Sequence, residues 1–299
     1  MHVVLGASGN TGHVVAQNLL SHKQKVRVVG REAAHLQSHA AQGAEVFIAD
    51  VSDVAALTKA FQNADSAYVL IPPNPTSNDP LAYAERAGDA IATALKNAGV
   101  KNVVALSSFG ADKSQGTGPV LGLYKLEQKL NQLDGAHVLC LRPGYFMENS
   151  LPQVNVVLKM GFVGGPLRPD LKLSMVATRD IGAFAAEALL RLDFRGKQTQ
   201  ELLGPRDITY NEVAAIIGKA IGKPDLKYRQ PPDEQMRIAL VQSGMSEQFA
   251  GLLLEMTAAL NSGYMRALEP RSSRNTTPTT YENFVAEVFV PAYQQQAAA

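Results

Sequence analysis

MHVVLGASGNTGHVVAQNLL, residues 1–20, is the stretch that decides the fold of this chain. It opens with an apolar run, residues 2–5, of the length that a buried strand needs, and a helical apolar pattern begins at residue 14. A glycine-rich turn separates the two. A second strand, expected at residues 25–29, follows at the distance typical of a βαβ unit. The stretch therefore predicts a strand, a tight turn and a helix.

Three glycines in this turn, Gly6, Gly9 and Gly12, follow the spacing G-x-x-G-x-x-G. A Cβ would obstruct a sharp reversal at Gly6, the approach of a diphosphate at Gly9, or close helix packing at Gly12. The free amides and the positive dipole end of the next helix attract an anion. The turn therefore predicts dinucleotide binding. Further hydrogen-bond donors come from Ser8, Asn10 and Thr11.

Composition and charge limit the classes of partner. The chain has 28 Lys and Arg against 27 Asp and Glu, and they are scattered, so neither nucleic acid nor an anionic membrane is expected. No run of about eighteen apolar residues and no secretion signal are visible, so we expect a cytoplasmic location. Cys140 is expected in a buried strand. His35 and His39 predict a solvated helix face, because a zinc site needs further ligands.

Short apolar strands alternate with helical patterns through the first half of the chain. Such strands are typical of a parallel sheet covered on both faces, so the fold class expected is α/β, a doubly wound (Rossmann) sheet with a smaller, mostly helical C-terminal lobe. The strands are expected near residues 2–5, 25–29, 45–48, 66–71, 102–106 and 136–142, with a later one at 201–203. Later helices are expected at 180–190, 210–221, 232–243 and 246–262, with a last one from 280.

The expected domain organisation follows from this alternation. A dinucleotide-binding core spans residues 1–150, and residues 171–205 return to it. Residues 151–170 and 206–292 form the lobe that covers the substrate cleft. The last residues, 293–299, are low in complexity and are expected to be disordered.

Ligands of such sheets bind at the carboxyl ends of the strands. Arg31, at the end of the second strand, favours NADP because its guanidinium can pair with a 2′-phosphate, although Glu32 reverses this preference if it points inward. Asp50, after the third strand, can accept from an adenine amino group or cap the helix that begins near residue 54. The proline-rich end of the fourth strand, residues 71–75, lays backbone against the cofactor or is a plain structural turn.

The fifth strand ends in two hydroxyls, Ser107 and Ser108, beside the expected nicotinamide position. The helix that follows has an apolar face of leucines, at residues 123, 126, 130 and 133, which predicts that this face belongs to the core. Tyr124 lies on a neighbouring face, from which its phenol can reach a hydride acceptor. Lys125 and Lys129 are expected to be solvated.

Four motifs together resemble the NmrA-like branch of the atypical short-chain dehydrogenases: GASGNTG from residue 6, SSFGA from residue 107, RPGYFMEN from residue 142 and TRDIG from residue 178. The resemblance covers nearly the whole chain. It implies a Rossmann fold that binds NADP or NAD and a small C-terminal lobe. Members are either NAD(P)H-dependent reductases of quinones, dyes and related acceptors, or non-catalytic sensors of the cofactor's redox state.

One departure from the wider dehydrogenase pattern concerns the Tyr-x-x-x-Lys pair. Here Tyr124 is followed four residues later by Gln128. An ammonium about 4 Å from the phenol is worth about 4 kcal/mol at an intermediate dielectric, and Tyr124 lacks it. NmrA-like reductases often keep a lone Lys, and counting back from Gly135 places that residue on or beside Tyr124, which makes Lys125 the nearest candidate.

We therefore expect a reductase that passes hydride from NADPH to a small apolar acceptor such as a quinone, with NAD as the alternative cofactor and a non-catalytic redox sensor as the alternative function. The expected catalytic residues are Tyr124, Ser108 and Lys125. The acceptor is expected among Phe146, Met147, Asn149, Met160, Phe162 and Met175. The residues expected to contact the cofactor are Gly6, Ser8, Gly9, Asn10, Thr11, Gly12, Arg31, Asp50, Val51, Ile71, Pro72, Pro73, Ser107, Pro143, Gly144 and Phe146.

Overall fold

A computed structural model describes residues 1–298 of the chain. Its strands, in chain order, are β1 His2–Leu5, β2 Val26–Gly30, β3 Glu45–Ile48, β4 Ser66–Val69, β5 Asn102–Leu106, β6 His137–Pro143, β7 Tyr145–Phe146, β8 Val163–Gly164, β9 Leu173–Val176, β10 Lys197–Leu202, β11 Asp207–Ile208 and β12 Tyr228–Arg229. Seven of them form one sheet in the order β3-β2-β1-β4-β5-β6-β10. All its neighbouring strands are parallel.

The helices are α1 Asn10–Ser21, α2 Gln37–Ala40, α3 Val54–Phe61, α4 Pro80–Ala98, α5 Val120–Asn131, α6 Gln153–Met160, α7 Thr178–Arg191, α8 Tyr210–Ala220, α9 Asp233–Gln242, α10 Glu247–Asn261, α11 Tyr281–Phe284 and α12 Val290–Ala297. Short 3-10 turns occupy Ala33–Leu36 and Met147–Ser150, and a π-helical turn, Val285–Phe289, joins α11 to α12.

Helices cover the large sheet on both faces, and the alternation of buried side chains along the strands explains why. In β1, Val3 and Leu5 pack in the core under α3, α4 and α5, whereas Val4 packs in the core under α1 and α7. β1 and β4 are therefore buried along their whole length, as central parallel strands are, whereas the edge strand β10 carries exposed polar residues. The prediction of a doubly wound parallel α/β sheet is confirmed, and the predicted strands agree with the observed ones to within a few residues.

The strand order reverses between β1 and β4. From β1 the chain moves outward through β2 and β3, then returns to the other side of β1 and continues through β4, β5 and β6. In open parallel sheets the loops diverge at such a point and leave a crevice at the carboxyl ends of the strands. The fold therefore places a ligand crevice beside the glycine-rich turn.

One core lies on each face of the large sheet, and a third core lies among the later helices and two small sheets. The three-stranded sheet has the order β11-β9-β7, and β12 pairs with β8. Apolar residues of α6, α8, α10 and α11 pack together around them. The segment of α7 and β10, in contrast, lies against the large sheet, because β10 pairs with β6 and α7 packs on α1. The exact division into core and lobe stays a prediction.

The disorder expected for the C-terminal tail is wrong for residues 293–297, which continue α12. Tyr293 is half-buried against the third core, and the Lys223 ammonium lies 5.8 Å from its ring centroid. These contacts give the helix a reason to form despite its low-complexity sequence. Ala299 lies outside the described residues.

The solvated face expected for His35 and His39 is wrong for His39, whose side chain is fully buried. Its Nε2 lies 3.1 Å from the Ala7 carbonyl oxygen and 3.1 Å from His13 Nδ1. Cys140 lies in β6 and is buried, as expected. Among residues 1–298 no group of three or more His, Cys, Asp or Glu is suitably placed for a metal ion. Within the same residues, no helix combines the length and apolar character needed to cross a bilayer.

Candidate functional site

A cleft of about 490 Å³, called here the main cleft, lies at the strand-order reversal. Gly6 follows β1 and Leu70 follows β4, and both line it. Eleven residues of its wall are among those that the sequence predicts for the cofactor: Gly6, Ser8, Gly9, Asn10, Thr11, Arg31, Val51, Ile71, Pro72, Pro73 and Phe146.

The glycine turn has the geometry that its spacing predicts. Gly6 has φ +70°, a left-handed conformation that side chains rarely adopt, and its carbonyl accepts from the Gly9 amide at 2.9 Å. A Cβ on Gly12 would lie 2.3 Å from the Gly6 carbonyl oxygen, so only glycine lets α1 start this close to the turn. A Cβ on Gly9 would meet no other part of the chain closer than 3.4 Å, which leaves its cleft side open for a ligand.

The first turn of α1 presents unsatisfied donors to the main cleft. Gly9 is the N-cap and supplies no capping side chain, and the first turn contains no acidic residue. The His13 amide donates to the Gly9 carbonyl at 2.9 Å, so the amides of residues 10–12 precede the first intrahelical bond. Three free amides at the positive end of a helix form an anion site that suits a diphosphate.

Arg31 reaches the main cleft from the end of β2. It forms no ion pair with any residue from 1 to 298. Glu32 does not line the cleft, and its carboxylate lies 3.8 Å from His35 Nδ1 on the surface. The inward Glu32 that would reverse the cofactor preference is therefore absent from the cleft wall, and Arg31 is available for an anionic group.

One of the two roles predicted for Asp50, the helix cap, is wrong, while the contact with an adenine amino group stays a prediction. Its carboxylate accepts from the Ser52 amide at 2.9 Å and from the Ser52 hydroxyl at 2.5 Å, and these hydrogen bonds lower the pKa of Asp50. The cap of α3 is Asp53, which accepts from the Ala56 amide at 2.9 Å. Asp50 is therefore not the helix cap, and the neighbouring Val51 lines the main cleft in its place.

A second cleft of about 280 Å³ adjoins the main one and shares Ile71, Leu106 and Phe146 with it. It contains Ser107, Ser108, Gly144 and Asn149 from the predicted set. Its wall is mostly apolar. The residues of this wall that the sequence did not predict for the site include Leu123, which the leucine spacing assigned to the core, and Met256. The two clefts therefore adjoin and form one continuous space along these shared residues.

Ser107 is held by a buried ion pair beneath the second cleft. Its hydroxyl donates to Glu127 Oε1 at 2.5 Å. Arg142 donates to the same carboxylate through Nε at 2.9 Å and Nη2 at 2.5 Å, and this hydrogen bonding raises the pKa of Arg142. Glu127 is only 2% exposed. Since the Ser107 hydrogen is given to Glu127, its oxygen faces a ligand as an acceptor.

The hydroxyl of Ser108 is free to donate within the second cleft, since it forms no hydrogen bond with residues 1–298. Tyr145 and Asn149 line the same cleft. Burial raises the pKa of Tyr145, so its phenol stays protonated at neutral pH. A bound oxygen atom could therefore find donors on Ser108, Tyr145 and Asn149.

Two of the three predicted catalytic residues lie elsewhere. Tyr124 lines neither cleft, whereas its neighbour Leu123 lines the second one. Lys125 Nζ donates to Glu85 at 2.8 Å across the face between α4 and α5. The catalytic prediction for Tyr124 and Lys125 is therefore corrected: neither residue lies in the wall of a cleft that would hold a substrate. Lys129 pairs with Asp89 on the same outer face.

Four predicted acceptor residues also lie outside the clefts. Met147 is buried in the third core. Met160, at the end of α6, is 64% exposed. Phe162 packs beneath the Arg229 guanidinium, 4.6 Å from its ring centroid. Met175 is buried in the third core as well. Their shared apolar character does not distinguish core from cleft wall.

Two further predicted cofactor residues, Gly12 and Pro143, are absent from both cleft walls, although the free amide of Gly12 remains at the N-terminal end of α1. Gly12 lies behind the turn, and Pro143 is buried in β6, where its carbonyl accepts from the Phe109 amide at 3.1 Å. Thr178, at the start of α7, lines the main cleft although the sequence analysis did not select it. Its hydroxyl donates to Glu148 at 2.6 Å, and burial raises the pKa of Glu148. Thr178 is the first residue of the TRDIG motif, and this motif was the feature of the sequence that could have identified it as a site residue.

Known proteins resemble this chain both in sequence and in fold. The family model of the NmrA-like family matches residues 2–285. Quinone oxidoreductase 2 of Escherichia coli strain K12 is 28% identical over 269 residues, covering 88% of this chain and 89% of that protein. The crystal structure of an E. coli NADPH-dependent quinone oxidoreductase complexed with NADPH superposes with a TM-score of 0.81 at 26% identity, covering 97% of this chain and 100% of that one.

A more distant structure shares the fold. The Citrobacter sp. triphenylmethane reductase complexed with NADP(H) has a TM-score of 0.77 at 19% identity, and the superposition covers 97% of this chain and 99% of that one.

Proposed function

The chain belongs to the NmrA-like family, and on that premise we propose that it is an NAD(P)H-dependent oxidoreductase that passes hydride to a small quinone-like acceptor. The relatives named quinone oxidoreductase support this activity, and the E. coli structure holds NADPH. The observation that carries the proposal is the continuity of the two clefts through Ile71, Leu106 and Phe146. A dinucleotide in the main cleft would have the second cleft beside it for an acceptor.

The residues of the main cleft fit NADPH. The free amides of residues 10–12 would hold the diphosphate, and the open side of Gly9 lets it approach the backbone. Arg31, with no ion pair of its own, would hold a 2′-phosphate and favour NADP over NAD. When bound, the reduced nicotinamide supplies the hydride. Ser107 would orient the carboxamide by accepting from its amino group.

The second cleft would place the acceptor and supply donors. Reduction of a quinone to a hydroquinone takes one hydride and one proton, with the hydride coming from the cofactor and the proton from solvent or a protein donor. Ser108 and Asn149 can donate hydrogen bonds to an oxygen that gains negative charge, and the neutral phenol of Tyr145 can do the same. This chemistry requires no Tyr-Lys pair.

The proposal is tested by adding a panel of quinones and triarylmethane dyes to the purified protein with NADPH. We expect loss of NADPH absorbance with at least one quinone and an equal amount of hydroquinone formed. Tight NADPH binding with no loss of NADPH in any reaction would contradict the oxidoreductase and favour the alternative of a redox sensor.

A further inference from the structure

Beside the two clefts lies a separate apolar space, called here the side cavity. Its volume is about 190 Å³, and of its twelve lining residues only Asn74 and Tyr83 carry polar side chains. For comparison, an engineered apolar cavity of about 150 Å³ binds benzene. The side cavity is therefore large enough for one aromatic ring or a short branched chain.

The side cavity adjoins the acceptor end of the site. Ile71, Pro73 and Leu123 line both the second cleft and the side cavity. The side cavity also shares Ile71, Pro72, Pro73 and Tyr83 with the main cleft. Leu123 lines the second cleft and the side cavity but not the main cleft, so a ligand in the second cleft can reach the side cavity across Leu123.

The walls of the side cavity are held in place by contacts between elements. Phe249 forms one wall from the first turn of α10, and it is nearly buried. The N-cap of that helix, Ser246, donates from its amide to the Pro75 carbonyl at 2.9 Å and from its hydroxyl to the Ser77 carbonyl at 2.6 Å. On the opposite side, α4 and α5 approach so closely that a Cβ on Gly122 would lie 2.6 Å from Ala84 Cβ. The walls of the side cavity are therefore preformed.

The part of the main cleft that would bind the cofactor phosphates does not border the side cavity, since Gly9 and Arg31 do not line it. Val120 and Phe249 line the side cavity and neither of the clefts. Adenine also carries a polar edge that needs hydrogen-bond partners when it is buried, and an apolar wall offers few. An apolar group gains most from such a wall because it leaves water without losing hydrogen bonds.

We propose that the side cavity binds an apolar substituent of the acceptor, of the size of a phenyl ring or a five-carbon branched chain. The inference rests on the proposed function and deepens it by naming the acceptor class. These acceptors are quinones with one such substituent on the quinone ring. The protein selects these acceptors over the bare ring because the substituent is buried against Val120, Leu123 and Phe249.

The first experiment measures kcat/KM for 1,4-benzoquinone and 2-phenyl-1,4-benzoquinone. We expect the wild-type protein to prefer the phenyl compound by about tenfold or more, the effect of filling an apolar pocket. Val120→Phe, which fills the cavity from a buried position in its wall, should remove this preference by lowering kcat/KM for the phenyl compound towards that for 1,4-benzoquinone. Comparing the same two acceptors in both proteins cancels the difference in their reduction potentials.

The matched control is Val54→Phe, the same substitution at an exposed residue of α3 that does not line the cavity. It should keep the wild-type preference. If Val120→Phe does not fold, Phe249→Ala replaces it: this variant enlarges the cavity and should shift the preference from the phenyl to a naphthyl substituent. An unchanged preference in a folded Val120→Phe protein would overturn the proposal.

The second experiment needs no turnover. Titration calorimetry measures the affinity of the NADP⁺-loaded protein for hydroquinone and for phenylhydroquinone, with Val120→Phe alongside. Tighter binding of the phenyl compound, lost in Val120→Phe, supports the side cavity even if no quinone is reduced, in which case only the proposed function fails. Equal affinity of the wild-type protein for both compounds overturns the inference, while NADPH consumption can still support the oxidoreductase.

Discussion

Single side chains determine which cofactor the main cleft accepts and how Ser107 is held at the second cleft. Arg31 lines the cleft and has no ion pair within residues 1–298, while Glu32 faces away. At the other end, the carboxylate of Glu127 neutralises Arg142 and fixes Ser107. Arg31 is an exposed charge without an ion pair in the described residues, whereas Arg142 is a largely buried charge that is paired with Glu127. Removing Arg31 should therefore change ligand binding, and removing Glu127 should change the stability of the protein.

Arg31→Ala should weaken NADPH binding by about tenfold to a hundredfold, the value of one charged hydrogen bond of about 1.5–3 kcal/mol. Binding of NADH, which has no 2′-phosphate, should change little. Fluorescence titration with both nucleotides measures the ratio. Arg195→Ala, at an exposed arginine that donates to the Leu192 and Phe194 carbonyls, is the control. An unaltered ratio in Arg31→Ala would refute the role of this residue.

Glu127→Ala should destabilise the protein by about 3–5 kcal/mol, because it leaves Arg142 with a largely buried and unpaired charge. Urea unfolding followed by circular dichroism measures the loss. The control is Glu85→Ala, which breaks the partly exposed pair with Lys125 and should cost about 0–1 kcal/mol. Equal losses in the two variants would show that burial of the Glu127 pair does not matter.

At the scale of elements, the turn from β1 to α1 shows what sequence patterns determine and what they leave open. The glycine spacing correctly predicts a positive φ at Gly6 and close packing at Gly12. The leucine spacing in α5 correctly predicts that Leu126 and Leu130 are buried. It does not predict that Glu127, between them in sequence, is buried too. That burial depends on Arg142, supplied by another strand, and no local period records such a partner.

Gly9→Ala should lower NADPH affinity by about tenfold or more while the fold remains intact, since the added methyl occupies the ligand side of the turn, where charged hydrogen bonds form. Calorimetric titration and thermal melting measure the two effects. The control is Gly251→Ala in α10, where a Cβ meets nothing within 4 Å. This control should bind NADPH normally and be more stable by about 0.5–1 kcal/mol. Normal NADPH affinity in Gly9→Ala would contradict the diphosphate cradle.

For the whole molecule, the sequence predicts the fold and the cofactor end of the site better than the acceptor end. The fold follows from strand periods, and the cofactor turn lies in one continuous segment. The acceptor end combines Leu123 from α5 with Met256 from α10, more than a hundred residues apart, and their apolar character resembles that of the core. Met147 and Phe162 show the converse, since they look like cleft residues and pack elsewhere.

The stability of the whole molecule should depend on pH through two buried histidines. Burial lowers the pKa of His2 and of His39 below the ordinary value of 6.5. The unfolded chain therefore takes up protons first as the pH falls, so stability is fully present above about pH 6.5 and declines below it. His39→Gln, which cannot titrate, should show a smaller decline between pH 7 and pH 5 in urea unfolding.

The control for this pH effect is His22→Gln, which changes an exposed histidine at the end of α1 and should keep the wild-type dependence. A decline of the same size in His39→Gln as in the wild-type protein would assign the effect to other groups. NADPH-free protein should be used throughout, because His39 contacts Ala7 in the cofactor turn.

The central claim is that the turn after β1 and the end of β2 hold a phosphorylated nicotinamide dinucleotide. It is tested most directly by calorimetric titration of the folded protein with NADPH and, separately, with NADH. The account predicts one site per chain, with micromolar affinity for NADPH and weaker binding of NADH. A folded protein that binds neither nucleotide would contradict it.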